Sequence, residues 1–315
     1  MHTLSQQGPA IGIGDFVRLV AGEVFVDKTL LIKDFLTHNT AVSLITRPRR
    51  WGKTLNMNML YHFFRCEVKK NATTHELETL SPHPGLFDNL NIGKEHPELI
   101  ASHQGKWPVM FLTFKDLVGG SVLDMEKESK ILFQELYSQH AYLSAWLYSL
   151  EKTPDTLAKA KYFSDVLEKK VDLTELENSL YFLSRLLYEY HGQRVFVLLD
   201  EYDAPLNNTF LKPALYERML AFMRGLLGKC FKDNAYLEKG IMTGILRVAK
   251  ADLFSGLNNF KEYSLLDKRY AEHFGFTDAE VSDLFEQPSV KELIQAPAPD
   301  PEDIKAWYNG YTIGG

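Results

Sequence analysis

Residues 41–60 constrain the fold of this chain more than any other stretch. An apolar run, Ala-Val-Ser-Leu-Ile-Thr, leads into the loop Arg-Pro-Arg-Arg-Trp-Gly-Lys-Thr, and a helical pattern, Leu-Asn-Met-Asn-Met-Leu, follows at once. A strand, a loop that ends Gly-Lys-Thr and a helix are the layout of a phosphate-binding loop. The strand of such a loop lies in a sheet and its helix points its N-terminus at the ligand, so the stretch favours an α/β fold.

The loop departs from the usual GxxxxGK(S/T) pattern at its first position, where Arg47 stands in place of glycine. Pro48 then stiffens the start of the loop, because proline fixes its own φ and restricts its predecessor. Arg47, Arg49 and Arg50 are expected to add positive charge beside the site. The alternative interpretation is a basic turn between a strand and a helix, with a chance Gly-Lys-Thr.

Each position at the end of the loop has a chemical reason. Gly52 removes a Cβ where the backbone must approach phosphates closely. Lys53 is expected to reach the β- and γ-phosphates of a nucleotide, and the Thr54 hydroxyl to bind Mg²⁺. The predicted nucleotide-binding residues are Pro48, Arg49, Arg50, Trp51, Gly52, Lys53, Thr54 and Leu55.

A second motif follows the five apolar residues 195–199, where the chain continues with Asp200 and Glu201. An acid at the end of a buried strand is placed to hold Mg²⁺ beside Thr54, so Thr54 and Asp200 are the predicted metal ligands. Glu201 is then placed to polarise a water for attack on the γ-phosphate. Acids in this position can also be simple helix caps, but their combination with Gly-Lys-Thr favours the nucleotide site.

Two further catalytic candidates follow the short apolar run of residues 240–245. Thr243 is predicted to sense the γ-phosphate or to orient the water. Arg247 is predicted to stabilise charge on the phosphate, and the alternative for this arginine is a surface salt bridge. Together with Lys53 and Glu201 they complete the predicted catalytic set.

Apolar strands separated by helical patterns predict a parallel α/β sheet with helices on both faces and a helical insertion. Besides the strand before the phosphate loop, strands are predicted at residues 107–114, 195–199, 240–245 and 262–266. Ligands of such sheets bind at the carboxyl ends of the strands, so the predicted site residues should meet at one edge. Near the N-terminus, residues 24–26 are predicted as a short strand, with Asp27 or Thr29 as the N-cap of the next helix.

Composition and charge narrow the class of protein. The chain has 315 residues, of which 45% are hydrophobic and 24% charged, which is typical of a globular protein. Its net charge of −6 gives no general attraction to nucleic acid or to anionic membranes. Two cysteines without metal-ligand spacing, no secretory leader pattern and no apolar run near the ~20 residues that span a bilayer predict a cytoplasmic protein.

Several phrases spread along the chain resemble the AAA-ATPase-like family, a mostly prokaryotic group of P-loop proteins. They are Val26-Asp-Lys-Thr29, Thr46-Arg-Pro-Arg-Arg-Trp-Gly-Lys-Thr54, Leu199-Asp-Glu-Tyr-Asp-Ala-Pro205, Thr243-Gly-Ile-Leu-Arg247, Phe274-Gly-Phe-Thr277 and Trp307-Tyr-Asn-Gly-Tyr311. An arginine at the first loop position is usual in that family. The resemblance implies Walker A and Walker B motifs, ATP and Mg²⁺ as ligands, and a P-loop NTPase sheet of order 5-1-4-3-2 with residues 107–114 as the additional strand.

The resemblance also bears on domain organisation. It implies a P-loop domain over residues 1–270 and a small helical C-terminal extension over residues 271–315. Members of the family often carry a PD-(D/E)XK nuclease-like domain after the Tyr-Asn-Gly-Tyr phrase, and this chain stops at Gly315.

Three functional hypotheses follow. The first is a Mg²⁺-dependent ATPase whose hydrolysis acts on a partner protein, on a second copy or on a downstream nuclease-like module. The second is a nucleotide-gated switch with slow turnover. The third is a nucleic-acid-binding module that uses Arg47, Arg49 and Arg50, which the acidic net charge does not support.

Overall fold

The computed structural model describes residues 14–22, 24–71, 74, 76–117, 119–245, 252–254 and 259–293. A parallel sheet of five strands lies at its centre, and a separate antiparallel hairpin lies outside it. The strands are β1 (Val42–Thr46), the hairpin strands β2 (Glu67–Lys70) and β3 (Leu77–Leu80), then β4 (Val109–Thr113), β5 (Val195–Asp200), β6 (Leu237–Gly244) and β7 (Phe260–Tyr263).

The predicted fold class is confirmed. The sheet order is β4-β5-β6-β1-β7, and each neighbouring pair is parallel. In whole-chain numbering this order differs from 5-1-4-3-2, because the two hairpin strands take numbers of their own. Counted among the five sheet strands alone and read from β7, the order is 5-1-4-3-2.

Helices surround the sheet and fill the connections between its strands. The helices before the long insertion are α1 (Phe16–Val20), α2 (Leu31–Thr37), α3 (Lys53–Phe64), α4 (Asn91–Glu95) and α5 (Pro97–His103). The insertion between β4 and β5 contains α6 (Val122–Gln139), α7 (Tyr142–Ser149), α8 (Pro154–Leu167), α9 (Leu173–Leu176) and α10 (Ser179–His191). The remaining α-helices are α11 (Ala204–Thr209), α12 (Pro213–Phe231), α13 (Asp278–Glu286) and α14 (Pro288–Leu293), and two 3₁₀ turns lie at Asp252–Phe254 and Ala271–His273. Within the described parts of the chain, none of these helices has both the length and the hydropathy needed to span a membrane.

The sheet has an apolar core on each face, which explains why residues 195–199 of β5 are all apolar. In β5, Val195, Val197 and Leu199 face the core formed with α6 to α12. Phe196 and Leu198 face the opposite core, formed with α1 to α4. Alternate residues of one strand therefore pack against helices on both faces of the sheet. Polar side chains are left for the ends of the strands.

Some predicted elements are wrong. Residues 24–26 form no regular strand, and the ring of Phe25 packs edge-on against Phe16. The last strand lies at Phe260–Tyr263 and not at residues 262–266. The hairpin of β2 and β3 was not predicted, since its mostly exposed, charged residues carry no buried face that a periodicity could reveal.

The predicted helix caps act on a different helix. α2 begins after Leu30 without a side-chain cap. Asp27 Oδ2 instead accepts a hydrogen bond from the backbone N of Asn91 at 2.7 Å, and Thr29 Oγ1 accepts one from the backbone N of Ile92 at 3.1 Å. These two residues therefore cap the N-terminus of α4, more than sixty positions along the chain.

Replacing Thr29 by the isosteric valine tests this capping role. Thr29 is fully buried and its hydroxyl also donates to Asp27 at 2.6 Å. The change Thr29→Val leaves the buried N–H of Ile92 without its partner, so we expect it to lower the free energy of unfolding by about 1–3 kcal/mol in urea titrations. Thr37→Val is the matched control, because Thr37 is exposed and caps no helix start, and it should change stability by less than about 0.5 kcal/mol.

Candidate functional site

Two residues in the left-handed region shape the loop between β1 and α3. Gly52 has φ 73° and Arg50 has φ 67°. Glycine adopts this conformation freely, whereas it costs an arginine roughly 1–2 kcal/mol. Arg47 does not have a positive φ. The backbone conformation at position 47, where the usual motif has glycine, therefore does not require a glycine in this chain.

Lys53 lies at the first position of α3 and its amine is held by the loop itself. Its Nζ donates to the carbonyl oxygens of Arg47 at 3.0 Å and Pro48 at 2.8 Å. Burial lowers the pKa of Lys53, and the negative charges of Asp200 and Glu201 oppose that shift. The amine is therefore placed between the loop carbonyls and the acids that follow β5.

Asp200 is the point where three elements of the sheet edge meet. Its Oδ2 accepts a hydrogen bond of 2.6 Å from the Thr54 hydroxyl at the start of α3. Its Oδ1 accepts a hydrogen bond from the Thr243 hydroxyl near the end of β6. Only 1% of Asp200 is exposed, so both carboxylate oxygens are directed into this cluster. The structure brings together Lys53, Thr54, Asp200 and Thr243, as their places at strand ends predicted.

Glu201 stands next to this cluster in a strained conformation. Its φ is 52°, a left-handed value that a residue with a side chain adopts at a cost. Burial raises the pKa of Glu201, the charge of Asp200 raises it further, and the charges of Lys53 and Lys115 act in the opposite direction. Backbone strain and a raised carboxylate pKa in a cluster of charges are both characteristic of functional sites.

The other predicted site residues have different surroundings. Arg49 and Arg50 are exposed, and the positive charge of Arg49 contributes to lowering the pKa of Lys53 after the larger effect of burial. Pro48, Trp51 and Leu55 are partly buried, and Arg247 lies outside the described residues. Arg47 is fully buried, so the positive charge that it was expected to add beside the site lies inside the protein and not on its surface. Its guanidinium lies beneath the loop, where no nucleic acid can contact it.

Asp203 braces the turn that carries the acids. Its Oδ2 accepts a hydrogen bond from the backbone N of Ile245 at 3.0 Å and one from Asn207 Nδ2 at 3.2 Å. Because Asp203 is 2% exposed, these bonds tie the turn after β5 firmly to the end of β6. Asp200 and Thr243 are thereby held at a fixed separation.

The sequence did not reveal that residues 270–277, here called the clamp segment, pack on the phosphate loop. The backbone N of Gly275 donates to the carbonyl of Trp51 at 3.3 Å, and Asn56 Nδ2 donates to the carbonyl of His273 at 2.7 Å. Gly275 has φ 77°, and a Cβ at this position would lie 2.9 Å from the Trp51 ring. The only available signal was the Phe-Gly-Phe-Thr phrase, since the contacts join residues more than 200 positions apart.

Lys28 fastens the clamp segment from its other side. Its Nζ donates to the carbonyl of Glu272 at 2.5 Å and forms an ion pair of 2.5 Å with Glu280. Glu280 also accepts a hydrogen bond of 2.7 Å from the backbone N of Thr277, as part of the capping box that begins α13. Burial lowers the pKa of Lys28, while its bond to Glu280 favours the charged form.

Comparison with known families agrees with this geometry. Residues 10–254 match the model of the AAA-ATPase-like family, which is described as a predicted AAA-ATPase. The chain belongs to the AAA-ATPase-like family. Membership of this family implies that the protein binds a nucleotide.

One curated relative of this AAA-ATPase-like protein comes from Azotobacter chroococcum mcd 1, where it is described as an uncharacterized protein in the vnfD 5' region. The two are 26% identical over 317 aligned positions, which cover 99% of this chain and 50% of the relative. The chain thus spans about half the length of the curated relative that it matches. No solved structure matches the chain.

Gly275→Ala tests the close contact between the clamp segment and the loop of this AAA-ATPase-like protein. The added Cβ meets the Trp51 ring and also forces alanine into a left-handed conformation, so we expect a loss of about 1–3 kcal/mol in the free energy of unfolding. Gly228→Ala is the matched control. Gly228 lies inside α12 with no atom within 4 Å of an added Cβ, and alanine there should stabilise by about 0.5–1 kcal/mol.

Glu201→Gln tests the electrostatics of the acidic turn. Because the folded-state pKa of Glu201 is raised, ionising this carboxyl reduces stability as the pH rises through that pKa. The glutamine variant cannot ionise, so its melting temperature should exceed that of the wild type at pH 7. The two proteins should converge below the unfolded-state pKa, near the ordinary value of 4.5. A difference that is the same at pH 4 and pH 7 would contradict this account.

Proposed function

We propose that this chain binds ATP together with Mg²⁺ and hydrolyses it, and that hydrolysis acts on a partner protein or on a downstream module. The observation that carries the proposal is the convergence of Lys53, Thr54, Asp200 and Thr243 at one edge of a parallel sheet. Family membership supports the nucleotide. The chain spans only half of its curated relative. The partner protein and the downstream module are therefore part of the proposal and rest on no comparison.

The phosphates bind at the N-terminus of α3. This helix has twelve residues, so its dipole and its first free N–H groups attract an anion, and Gly52 leaves room for close approach. Lys53 turns away from the carbonyls of Arg47 and Pro48 and donates to the phosphate oxygens instead. The exposed Arg49 and Arg50 add positive charge on the solvent side of the loop.

Thr54 and Asp200 are the residues that hold the metal. A hydroxyl and a carboxylate that already lie 2.6 Å apart offer the oxygen ligands that Mg²⁺ prefers, so the donor set fits the ion. When bound, Mg²⁺ neutralises negative charge on the phosphate oxygens. Magnesium commonly uses one or two protein ligands and completes its coordination with phosphates and water, so the site needs no further acid.

Glu201 acts as the general base. Its raised pKa makes it a stronger proton acceptor than an ordinary glutamate, and it lies directly beside Asp200. Thr243 fixes Asp200 through its hydroxyl and orients the attacking water or senses the γ-phosphate. Arg247 is proposed to stabilise charge that develops on the phosphate.

A nucleotide-gated switch with slow turnover is the second candidate. The observation that favours it is that the amine of Lys53 is already hydrogen-bonded to two carbonyls of the phosphate loop. A nucleotide has to displace these bonds before it binds, which slows exchange. The same residues serve both candidates, and only the rate of hydrolysis separates them.

Two substitutions separate binding from hydrolysis. Glu201→Gln removes the base and keeps the shape of the side chain, so phosphate release should fall roughly 10²–10⁴-fold while the ATP dissociation constant changes little. Lys53→Ala removes the charge that contacts the phosphates, so ATP binding itself should be lost. Both are measured by calorimetric titration of ATP with and without Mg²⁺ and by phosphate release.

Lys94→Ala is the control for these substitutions, since Lys94 is exposed on α4. It should leave both binding and phosphate release unchanged. A wild-type protein that binds ATP but releases phosphate no faster than Glu201→Gln supports the switch. A wild-type protein that binds no nucleotide rules out both candidates.

A further inference from the structure

We propose that Arg47 is a positioning residue that fastens the phosphate loop to the clamp segment and so holds the loop in the shape that binds a nucleotide. The proposal rests on the proposed function, because it takes this loop to be the nucleotide site. It assigns a role to the residue that replaces the first glycine of the usual motif.

Arg47 is the largest fully buried side chain among the described residues. Burial lowers the pKa of Arg47 to about 10, with the negative charge of Asp267 acting against the shift, so the guanidinium stays charged at neutral pH. A buried charge is unfavourable unless other groups compensate for it. The contacts of Arg47 should therefore explain why a buried charge lies at the start of the phosphate loop.

The guanidinium joins three segments of the chain. Its Nη1 donates to the carbonyl of Thr46 at 2.8 Å, at the end of β1, and to the carbonyl of Tyr263 at 2.9 Å, at the end of β7. Its Cζ lies 5.4 Å from the ring centre of Phe274 in the clamp segment, a cation–π distance. Nε and Nη2 have no hydrogen-bond partner among the residues that the structure describes.

The backbone of Arg47 takes part in the loop as well. Its N–H donates to the carbonyl of Gly244 at 3.0 Å, and its carbonyl accepts from Lys53 Nζ at 3.0 Å. When Lys53 turns to a phosphate, this carbonyl loses its partner and the start of the loop loses one of its restraints. The buried side chain of the same residue remains in place and keeps the start of the loop from shifting.

The clamp segment therefore holds the loop at both ends. Phe274 contacts Arg47 at the start of the loop, and Gly275 contacts Trp51 near its end. A loop that is already ordered loses less conformational entropy when it binds a ligand. Arg47 thus orders the start of the loop through long-range contacts of its side chain, which a glycine at this position could not make.

The sharpest test is Arg47→Gly, which restores the usual motif. If a glycine at this position were what the loop needs, the variant would bind Mg²⁺-ATP as well as the wild type or better. We expect it instead to bind roughly 10–100-fold more weakly, because the loop is released from the clamp segment. Arg47→Lys should lie between the two, since lysine keeps the charge but lacks the planar group that bridges two carbonyls and stacks on Phe274.

Arg65→Met is the matched control. Arg65 also lies over an aromatic ring, that of Tyr61 at 4.8 Å, but it follows the C-terminal end of α3, away from the phosphate loop. Its loss should leave the ATP dissociation constant within about twofold of the wild type. Affinities are compared at a temperature where circular dichroism shows every variant to be folded, so that a general loss of stability does not move this readout.

Phe274→Leu tests the same contact from the side of the clamp segment, since it removes the aromatic face and leaves the loop sequence intact. It should weaken ATP binding, and in combination with Arg47→Met the two effects should be less than additive. Hydrogen exchange of residues 49–52 and 270–277 should be faster in Arg47→Gly than in the wild type, with or without nucleotide.

The outcomes separate this inference from the proposed function. Unchanged or tighter binding by Arg47→Gly, or equal losses in Arg47→Gly and Arg65→Met, overturns the role of Arg47 and leaves the nucleotide site standing. A wild-type protein that binds no ATP overturns the nucleotide site, and exchange rates that Arg47→Gly leaves unchanged overturn the fastening of the loop.

Discussion

The hydrogen bonds that Asp200 accepts from Thr54 and Thr243 are the interaction on which the candidate site depends. They join the start of α3, the end of β5 and the end of β6 within one carboxylate. An almost completely buried carboxylate needs such partners, because its charge has lost the solvation of water. The sheet register brings the three residues to the same edge, and the side chains then fix them relative to one another.

Further contacts around Asp200 fix the positions of the elements that carry the site residues. Asp203 ties the turn after β5 to the end of β6, and the clamp segment covers the phosphate loop. Lys28 anchors that segment through Glu280. Chemical groups and their supports thus come from different parts of the chain, and the loop has its shape because distant residues impose it.

The sequence predicted the parts of this arrangement that depend on local pattern. Apolar runs marked four of the five sheet strands, and strand ends placed Lys53, Thr54, Asp200 and Thr243 at one edge. Their chemical roles stay predictions. It failed where one residue acts on a distant one. Asp27 and Thr29 cap a helix that begins at residue 91, and Arg47 turns inward to the end of β7. Neither periodicity nor spacing records which distant backbone group a polar side chain will reach.

The place of β1 in the sheet has a consequence for how the chain folds during its synthesis. This strand is translated first among the five, yet it lies between β6 and β7, where Val42 pairs with Gly240 and Phe260. At about 5–20 residues per second, a ribosome needs roughly 10–40 s to synthesise the intervening chain. During that interval a strand whose five residues are all buried in the folded protein has no neighbour on either side, so its backbone groups stay without their sheet partners until the last two strands emerge.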